Sequence, residues 1–257
     1  LQASASGQNM RKRQSPKRKK SVAKEQAPEP AAKVEEVSYE TQSIEEHANV
    51  LFKPNPGPQT EFLAASEREV LYGGSAGGGK SYAMLADPLR YMGHPQFSGL
   101  LLRHTTEELR ELIFKSQELY PKIWPGIKWS ERKMQWTAPS GARLWMSYLD
   151  RDDDVLRYQG LAFSWIGFDE LTQWATPYAW NYMRSRLRST APDLPIFMRA
   201  TTNPGGRGHQ WVKKMFIDPA PYNKAFDATD SETGEVLRYP YGHSKAGKPL
   251  FKRRFIP

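Results

Sequence analysis

One stretch constrains this chain more than any other. Gly74-Ser-Ala-Gly-Gly-Gly79-Lys80-Ser81 follows the apolar run Val70-Leu71-Tyr72 and precedes a helical pattern over 80–92. Two glycines separated by four residues and followed by Lys-Ser form the pattern of a phosphate-binding loop. Glycines let successive backbone N–H groups turn inward around phosphate oxygens, while the helix that follows presents its positive end. In that pattern Gly74, Ser75, Ala76, Gly77, Gly78 and Gly79 cradle the phosphates, Lys80 reaches the β- and γ-phosphates, and Ser81 ligates magnesium. A flexible glycine linker is the bland alternative, but a linker needs neither a strand before it nor a helix after it. The loop therefore calls for an α/β layout with its strand buried in a sheet.

The remaining pattern agrees. Residues 61–67 read as a short helix, Leu100-Leu101-Leu102 as a buried strand, and 107–119 as a helix capped by Thr105 or Thr106. Residues 133–149 read as a hairpin turning at Pro139-Ser140-Gly141. Phe163 to Phe168 reads as a strand, 177–188 as a helix, Ile196 to Ala200 as a strand and 209–216 as a short helix. Apolar runs alternating with helical segments predict a mostly parallel sheet flanked by helices. In such sheets chemistry gathers at the carboxyl ends of the strands.

Two further strand ends carry the right groups. Phe163-Ser-Trp-Ile-Gly-Phe168 runs into Asp169-Glu170. Asp169 is placed to hold magnesium through water, and Glu170 to polarise an attacking water. Many strands end in acids, so this signal is cheap alone and strong beside a phosphate loop. Ile196-Phe-Met-Arg-Ala runs into Thr201-Thr202-Asn203-Pro204. Alone, that end is an ordinary Asn-Pro-Gly-Gly turn. As a third strand end beside the other two, it reads as a set of polar groups that sense the γ-phosphate or the lytic water.

Composition removes several classes. The absence of cysteine excludes a disulfide framework, a thiolate metal site and a cysteine nucleophile. No run approaches the roughly 20 apolar residues of a membrane helix, and no apolar core follows the N-terminal basic residues, so a soluble intracellular protein is expected. The net charge of +9 is concentrated in Arg11, Lys12, Arg13, Lys17, Arg18, Lys19 and Lys20, with no acid before residue 21. The charge therefore describes a tail, residues 1–40, too poor in large apolar groups to offset its ordering entropy and expected to be disordered. Asp152-Asp153-Asp154 reads as a solvated cap, since consecutive acids do not converge on one metal. The five histidines show no ligand spacing, and the eight tryptophans read as core. A chain that opens on Leu1 and stops at Pro257 is expected to be a fragment, with Met10 a candidate start.

Taken together, the blocks are specific. Pro56-Gly-Pro-Gln59, Glu69-Val-Leu-Tyr-Gly-Gly-Ser-Ala-Gly-Gly-Gly-Lys-Ser-Tyr82, Leu101-Leu-Arg-His, Arg157-Tyr-Gln-Gly160, Trp165-Ile-Gly-Phe-Asp-Glu-Leu171, Arg184-Ser-Arg-Leu-Arg188, Thr202-Asn-Pro-Gly-Gly206, His209-Gln-Trp-Val-Lys-Lys214 and Arg253-Arg-Phe-Ile-Pro257 occur in this order. The series resembles the large terminase subunits of tailed bacteriophages over roughly residues 50–257. The resemblance implies a RecA-like P-loop NTPase with an additional catalytic glutamate, hydrolysing ATP with Mg2+ to drive viral double-stranded DNA into a procapsid. It implies that Gln59 contacts the adenine edge, that Lys80 and Ser81 hold the phosphates and metal, and that Asp169 supports magnesium. Glu170 is then the catalytic carboxylate and Thr201, Thr202 and Asn203 the coupling motif. Implied partners are the portal protein, the small terminase subunit and further copies in a ring, at the procapsid portal in the host cytoplasm.

Two departures stand out. Ala76 lies where many relatives carry an arginine, so an arginine finger must come from elsewhere, with Arg103, Arg184, Arg186 and Arg188 as candidates. The family's C-terminal nuclease domain lies beyond residues 41–257, the expected ATPase domain, so no nuclease activity is expected here. A helicase-like DNA-dependent ATPase is the alternative enzyme, and a degenerate nucleotide-binding assembly protein the non-enzymatic one.

Overall fold

The computed structural model describes residues 52–231, 233–237 and 251–257; the basic tail at 1–40 lies outside them. In chain order the elements are α1 (Pro58–Ala64), β1 (Glu69–Tyr72), α2 (Lys80–Ala86), β2 (Ser98–Arg103), α3 (Thr106–Ile123), β3 (Lys128–Ser130), β4 (Gln135–Thr137), β5 (Arg143–Tyr148), β6 (Trp165–Phe168), α4 (Tyr178–Arg184), β7 (Phe197–Thr201), α5 (His209–Val212), β8 (Phe226–Asp227) and β9 (Lys252–Ile256). Among the described residues they build one sheet in the order β3-β4-β5-β2-β6-β7-β1-β9-β8. The strands from β5 to β9 in that order run parallel, and antiparallel pairs close both edges.

Strand periodicity explains the two cores. Val70, Tyr72 and Leu101 face one apolar cluster with Met84, Leu112 and Tyr120, while Leu71, Leu100, Leu102, Ile166 and Phe168 face another with Trp180 and Phe216. Side chains alternate across a strand, so a sheet covered on both faces needs near-continuous apolar runs. Each large side chain buried this way contributes about 1.5–3 kcal/mol. Of the eight tryptophans expected as core, Trp136, Trp165, Trp174 and Trp180 are buried in these clusters, and Trp124, Trp129, Trp145 and Trp211 pack against them partly buried. Helix α3 starts at a capping box in which Thr105 Oγ1 accepts from the Glu108 N–H and a Glu108 carboxylate oxygen accepts from the Thr105 N–H.

Several boundaries differ from expectation for local reasons. The helix expected over 80–92 changes at Asp87-Pro88 into a 3-10 turn, Asp87–Tyr91, because Pro88 has no N–H to continue the helical ladder. The helix expected over 177–188 stops at Arg184. Phe163 takes the following backbone instead, donating to Arg186 O at 2.9 Å and accepting from the Arg188 N–H at 2.9 Å. Arg184, Arg186 and Arg188 therefore do not line one helix. The segment expected as helix over 209–216 is α5 followed by a π turn, Lys213–Ile217. Strand β9 was not expected at all. Asp152-Asp153-Asp154 opens a 3-10 turn in which Asp154 accepts from the backbone N–H groups of Asp150 and Arg151, as a cap does.

Candidate active site

Register brings three strand ends together. Tyr72 and Thr201 pair across β1 and β7, and Phe168 pairs with Ala200 across β6 and β7. The residues that follow, Gly73, Asp169 and Thr202, therefore emerge side by side at the carboxyl edge of the parallel strands. The Thr202 N–H donates to Tyr72 O at 3.0 Å, tying the β7 end to the β1 end.

The glycine loop leaves β1 with Gly74, Gly77 and Gly79 at φ of 101°, 88° and 73°, a region that only glycine enters without strain. At Gly79 a Cβ would also approach Gln59 Nε2 to 2.7 Å. Lys80 Nζ turns back into the loop and donates to Ser75 O at 2.6 Å and to Gly74 O at 3.1 Å. Burial lowers the Lys80 pKa, against the opposing pull of the Glu170 and Asp169 charges. Gln59 is buried, with its Nε2 donating to Gly79 O at 2.9 Å and its Oε1 accepting from the Asn55 N–H at 2.5 Å. Its amide thus joins the lead-in of α1 to the loop.

The two acids occupy different surroundings. Asp169 is fully buried; its Oδ1 accepts from Thr201 Oγ1, and Arg103 Nε lies 3.1 Å from its Oδ2. That last contact is a charge contact without hydrogen-bond alignment, so Oδ2 has no hydrogen-bond partner. Burial raises the Asp169 pKa and outweighs the Arg103 charge that lowers it. Glu170 has a left-handed backbone at φ 61°, uncommon for a residue with a side chain. Its N–H donates to Thr201 Oγ1 at 3.1 Å, and its carboxylate accepts from Asn203 twice, from Nδ2 at 2.7 Å and from the backbone N–H at 3.2 Å. Burial raises the Glu170 pKa, and the neighbouring Asp169 charge adds to the rise.

Two of the three expected coupling residues, Thr201 and Asn203, thus meet the acids directly. Thr201 bridges Asp169 and Glu170, Asn203 grips Glu170, and Thr202 Oγ1 donates to Thr172 Oγ1 at 2.8 Å. The candidate arginines are spread out. Arg103 sits on Asp169, whereas Arg184 pairs with Glu69 at 2.6 Å, at the amino end of β1 and away from the loop. Arg186 lies over the Tyr182 ring, and Arg188 Nη2 donates to Leu161 O at 3.3 Å. Sequence reasoning missed Tyr72, whose hydroxyl donates to Gly78 O at 2.6 Å; its only signal was a phenol on the last strand residue before the loop. A cavity of about 510 Å³ bordered by Pro177, Trp211, Lys214 and Met215 lies apart from these groups.

The comparisons with known proteins bear on the family and the fold. A family model described as phage terminase large subunit matches residues 66–245. The large terminase ATPase domain of Thermus phage P74-26, in a mutant form, is similar at 13% identity and a TM-score of 0.50, covering 67% of this chain and 74% of that domain. The large terminase of a thermophilic bacteriophage is similar at 18% identity and a TM-score of 0.51, covering 65% of this chain. The present chain spans only 43% of that second protein. At such identities the structural likeness speaks for the fold. No individually curated protein matches at a significant level.

Proposed function

The chain belongs to the phage terminase large subunit family, and from that premise we propose that it is the ATP-hydrolysing motor that moves viral double-stranded DNA into a procapsid. The observation that carries this reading is the meeting of Asp169, Glu170 and the Thr201–Asn203 segment at adjacent strand ends, with the Lys80 ammonium within reach of both acids' charges. Phosphoryl transfer to water is mostly a matter of positioning and charge, and each of these groups has a part in it. The loop N–H groups and the Lys80 ammonium hold the phosphates of ATP. Glu170 orients a water and takes its proton, a task that suits a carboxylate whose pKa is raised toward neutrality.

A divalent cation fits the oxygen set. Asp169 Oδ2 is buried without a hydrogen-bond partner, and Ser81 opens α2 directly after Lys80. Among the described residues no cluster of three or more His, Asp or Glu could hold a metal alone. That suits Mg2+, which commonly relies on one or two protein oxygens together with the substrate's phosphates. When bound, the ion neutralises charge on the phosphate oxygens. Asp169 is kept in place for it by Thr201 and Arg103.

Coupling follows from the same contacts. Asn203 touches the carboxylate that faces the γ-phosphate, and the Gly208 N–H at the start of α5 donates to Thr172 O at 2.7 Å. A change at Glu170 therefore has a short mechanical route to α5 through Asn203 and Thr172. The portal protein, the small terminase subunit and neighbouring copies of this chain are the proposed partners at the procapsid portal. With Ala76 in the loop, a neighbouring copy supplies the arginine finger. Among the described residues no helix is long and apolar enough to cross a membrane.

Lys80→Ala tests the phosphate site. Hydrolysis is expected to vanish while circular dichroism and melting temperature stay near wild type, because the hydrogen bonds that Lys80 makes are to carbonyls of the loop itself. A folded Lys80→Ala protein with wild-type ATPase rates would remove the basis of this reading.

A further inference from the structure

The glycine loop is held by side chains from outside it, and they hold it in two different ways. Lys80 bonds the carbonyls of Gly74 and Ser75. Those bonds are provisional, since an ammonium exchanges a neutral carbonyl for an anionic phosphate when one arrives. Tyr72 is different. Its uncharged hydroxyl donates to Gly78 O at 2.6 Å from a ring that is 4% exposed. That ring packs on Phe62 of α1 with centroids 5.4 Å apart, and Phe62 is itself fully buried. The next carbonyl, Gly79 O, accepts from Gln59 on the same helix.

A trans peptide points its C=O and its N–H in opposite directions. Fixing Gly78 O toward Tyr72 therefore fixes the Gly79 N–H away from Tyr72, at the position directly before Lys80. We propose that Tyr72 is a positioning residue for nucleotide binding, its hydroxyl holding the Gly78–Gly79 peptide so that the Gly79 N–H faces the phosphates. The proposal rests on the phosphate-site reading of the loop given above. Gly77 and Gly79, on either side of Gly78, both have positive φ, so this stretch is the part of the loop with the most backbone freedom to lose. Without the hydroxyl, water meets the exposed carbonyl and the peptide turns freely. Each binding event must then order it again. The same residue accepts the Thr202 N–H on its backbone carbonyl, so the phosphate loop and the coupling segment share one anchor.

Tyr72→Phe removes the hydroxyl and keeps the ring against Phe62. The test compares wild type, Tyr72→Phe and Lys80→Ala in direct titrations with Mg-ADP and a non-hydrolysable ATP analogue, together with kcat, KM and nucleotide-free melting temperature. Loss of one hydrogen bond that organises a site is expected to raise both dissociation constants and KM by about three- to tenfold, with kcat at saturation within about twofold of wild type and an unchanged melting temperature. Unchanged dissociation constants would overturn the proposal, as would a fall in melting temperature with binding intact, or a loss confined to kcat. Loss of binding in Lys80→Ala beside full binding in Tyr72→Phe would sink the role of Tyr72 alone. A wild-type protein that binds neither nucleotide would sink the phosphate-site reading and the proposal with it.

Discussion

At the amino end of β1, Glu69 accepts from Arg184 Nε on one oxygen at 2.6 Å and from Arg253 Nε and Nη2 on the other at 2.8 and 2.6 Å. At the carboxyl edge of the same sheet, Asp169 and Glu170 share Thr201, while Asn203 bonds Glu170 and Arg103 makes a misaligned contact with Asp169. Burial pushes all three carboxyls up. At Glu69 the two guanidiniums outweigh it and hold the group below its ordinary range, whereas at Asp169 and Glu170 burial prevails. The carboxylate of the first cluster is closed, both oxygens being bonded inside the chain, although the donor Arg184 Nη2 there has no hydrogen-bond partner. The second leaves Asp169 Oδ2 and Asn203 Oδ1 without hydrogen-bond partners and keeps Glu170 at a strained φ. A buried carboxylate oxygen without a donor costs stability and can be completed by a cation, whereas Glu69 has no oxygen left to offer. The difference separates a structural ion cluster from the one proposed as reactive within a single sheet.

The comparison predicts opposite responses to removing one carboxylate. Glu170→Gln is expected to lower kcat by about 10²–10⁴-fold while ATP binding and melting temperature hold or rise, because the amide relieves repulsion from Asp169. Equal loss of nucleotide affinity would show that Glu170 serves binding instead. Glu69→Gln is expected to spare nucleotide affinity and to destabilise the fold by about 3–5 kcal/mol, the cost of leaving buried charges unpaired. Urea denaturation measures it. A loss below about 1 kcal/mol would place this pair with exposed surface bridges, contrary to its burial.

The two clusters also differ in how far the sequence revealed them. The reactive one was legible, because a phosphate loop, an apolar run ending in Asp169-Glu170 and a run ending in Thr201-Thr202-Asn203 each follow local rules. The parallel sheet then aligns their ends. The closed cluster was not legible. Nothing local in Lys252-Arg253-Arg254 announces a strand or a buried pair, yet Arg253 is 1% exposed and meets Glu69 across 184 residues of chain. Only the register of β9 on β1, pairing Glu69 with Arg253, turns that run into a strand. Arg184 misled in the same way, since the residues after it leave the helix for Phe163, a partner that no spacing announces. Asn203 was legible as a polar group near the γ-phosphate, but its two bonds to Glu170 depend on the tight turn after β7.

The smallest effect separates the clusters by pH. In its proposed role Glu170 works as a base only when ionised, and its pKa is raised, so activity should fall on acidification before an ordinary glutamate would titrate. Protonation of a group whose folded pKa is raised favours the folded state, so this loss of activity should not be accompanied by unfolding. Glu69 behaves in the opposite sense. Its folded pKa is depressed, so its contribution is fully present above the unfolded value and is lost only as pH falls through the lower, folded one. A window should therefore exist, from the raised pKa of Glu170 down to the ordinary glutamate range, in which the protein is folded and inactive. On the basic side, the lowered pKa of Lys80 should weaken nucleotide binding before an ordinary lysine would titrate. Profiles of kcat and melting temperature against pH, recorded on the same samples, show the window as two separate midpoints on the acid side. A single shared midpoint would mean that activity is lost through unfolding, and that the carboxyls at the two ends of the sheet do not differ as their surroundings require.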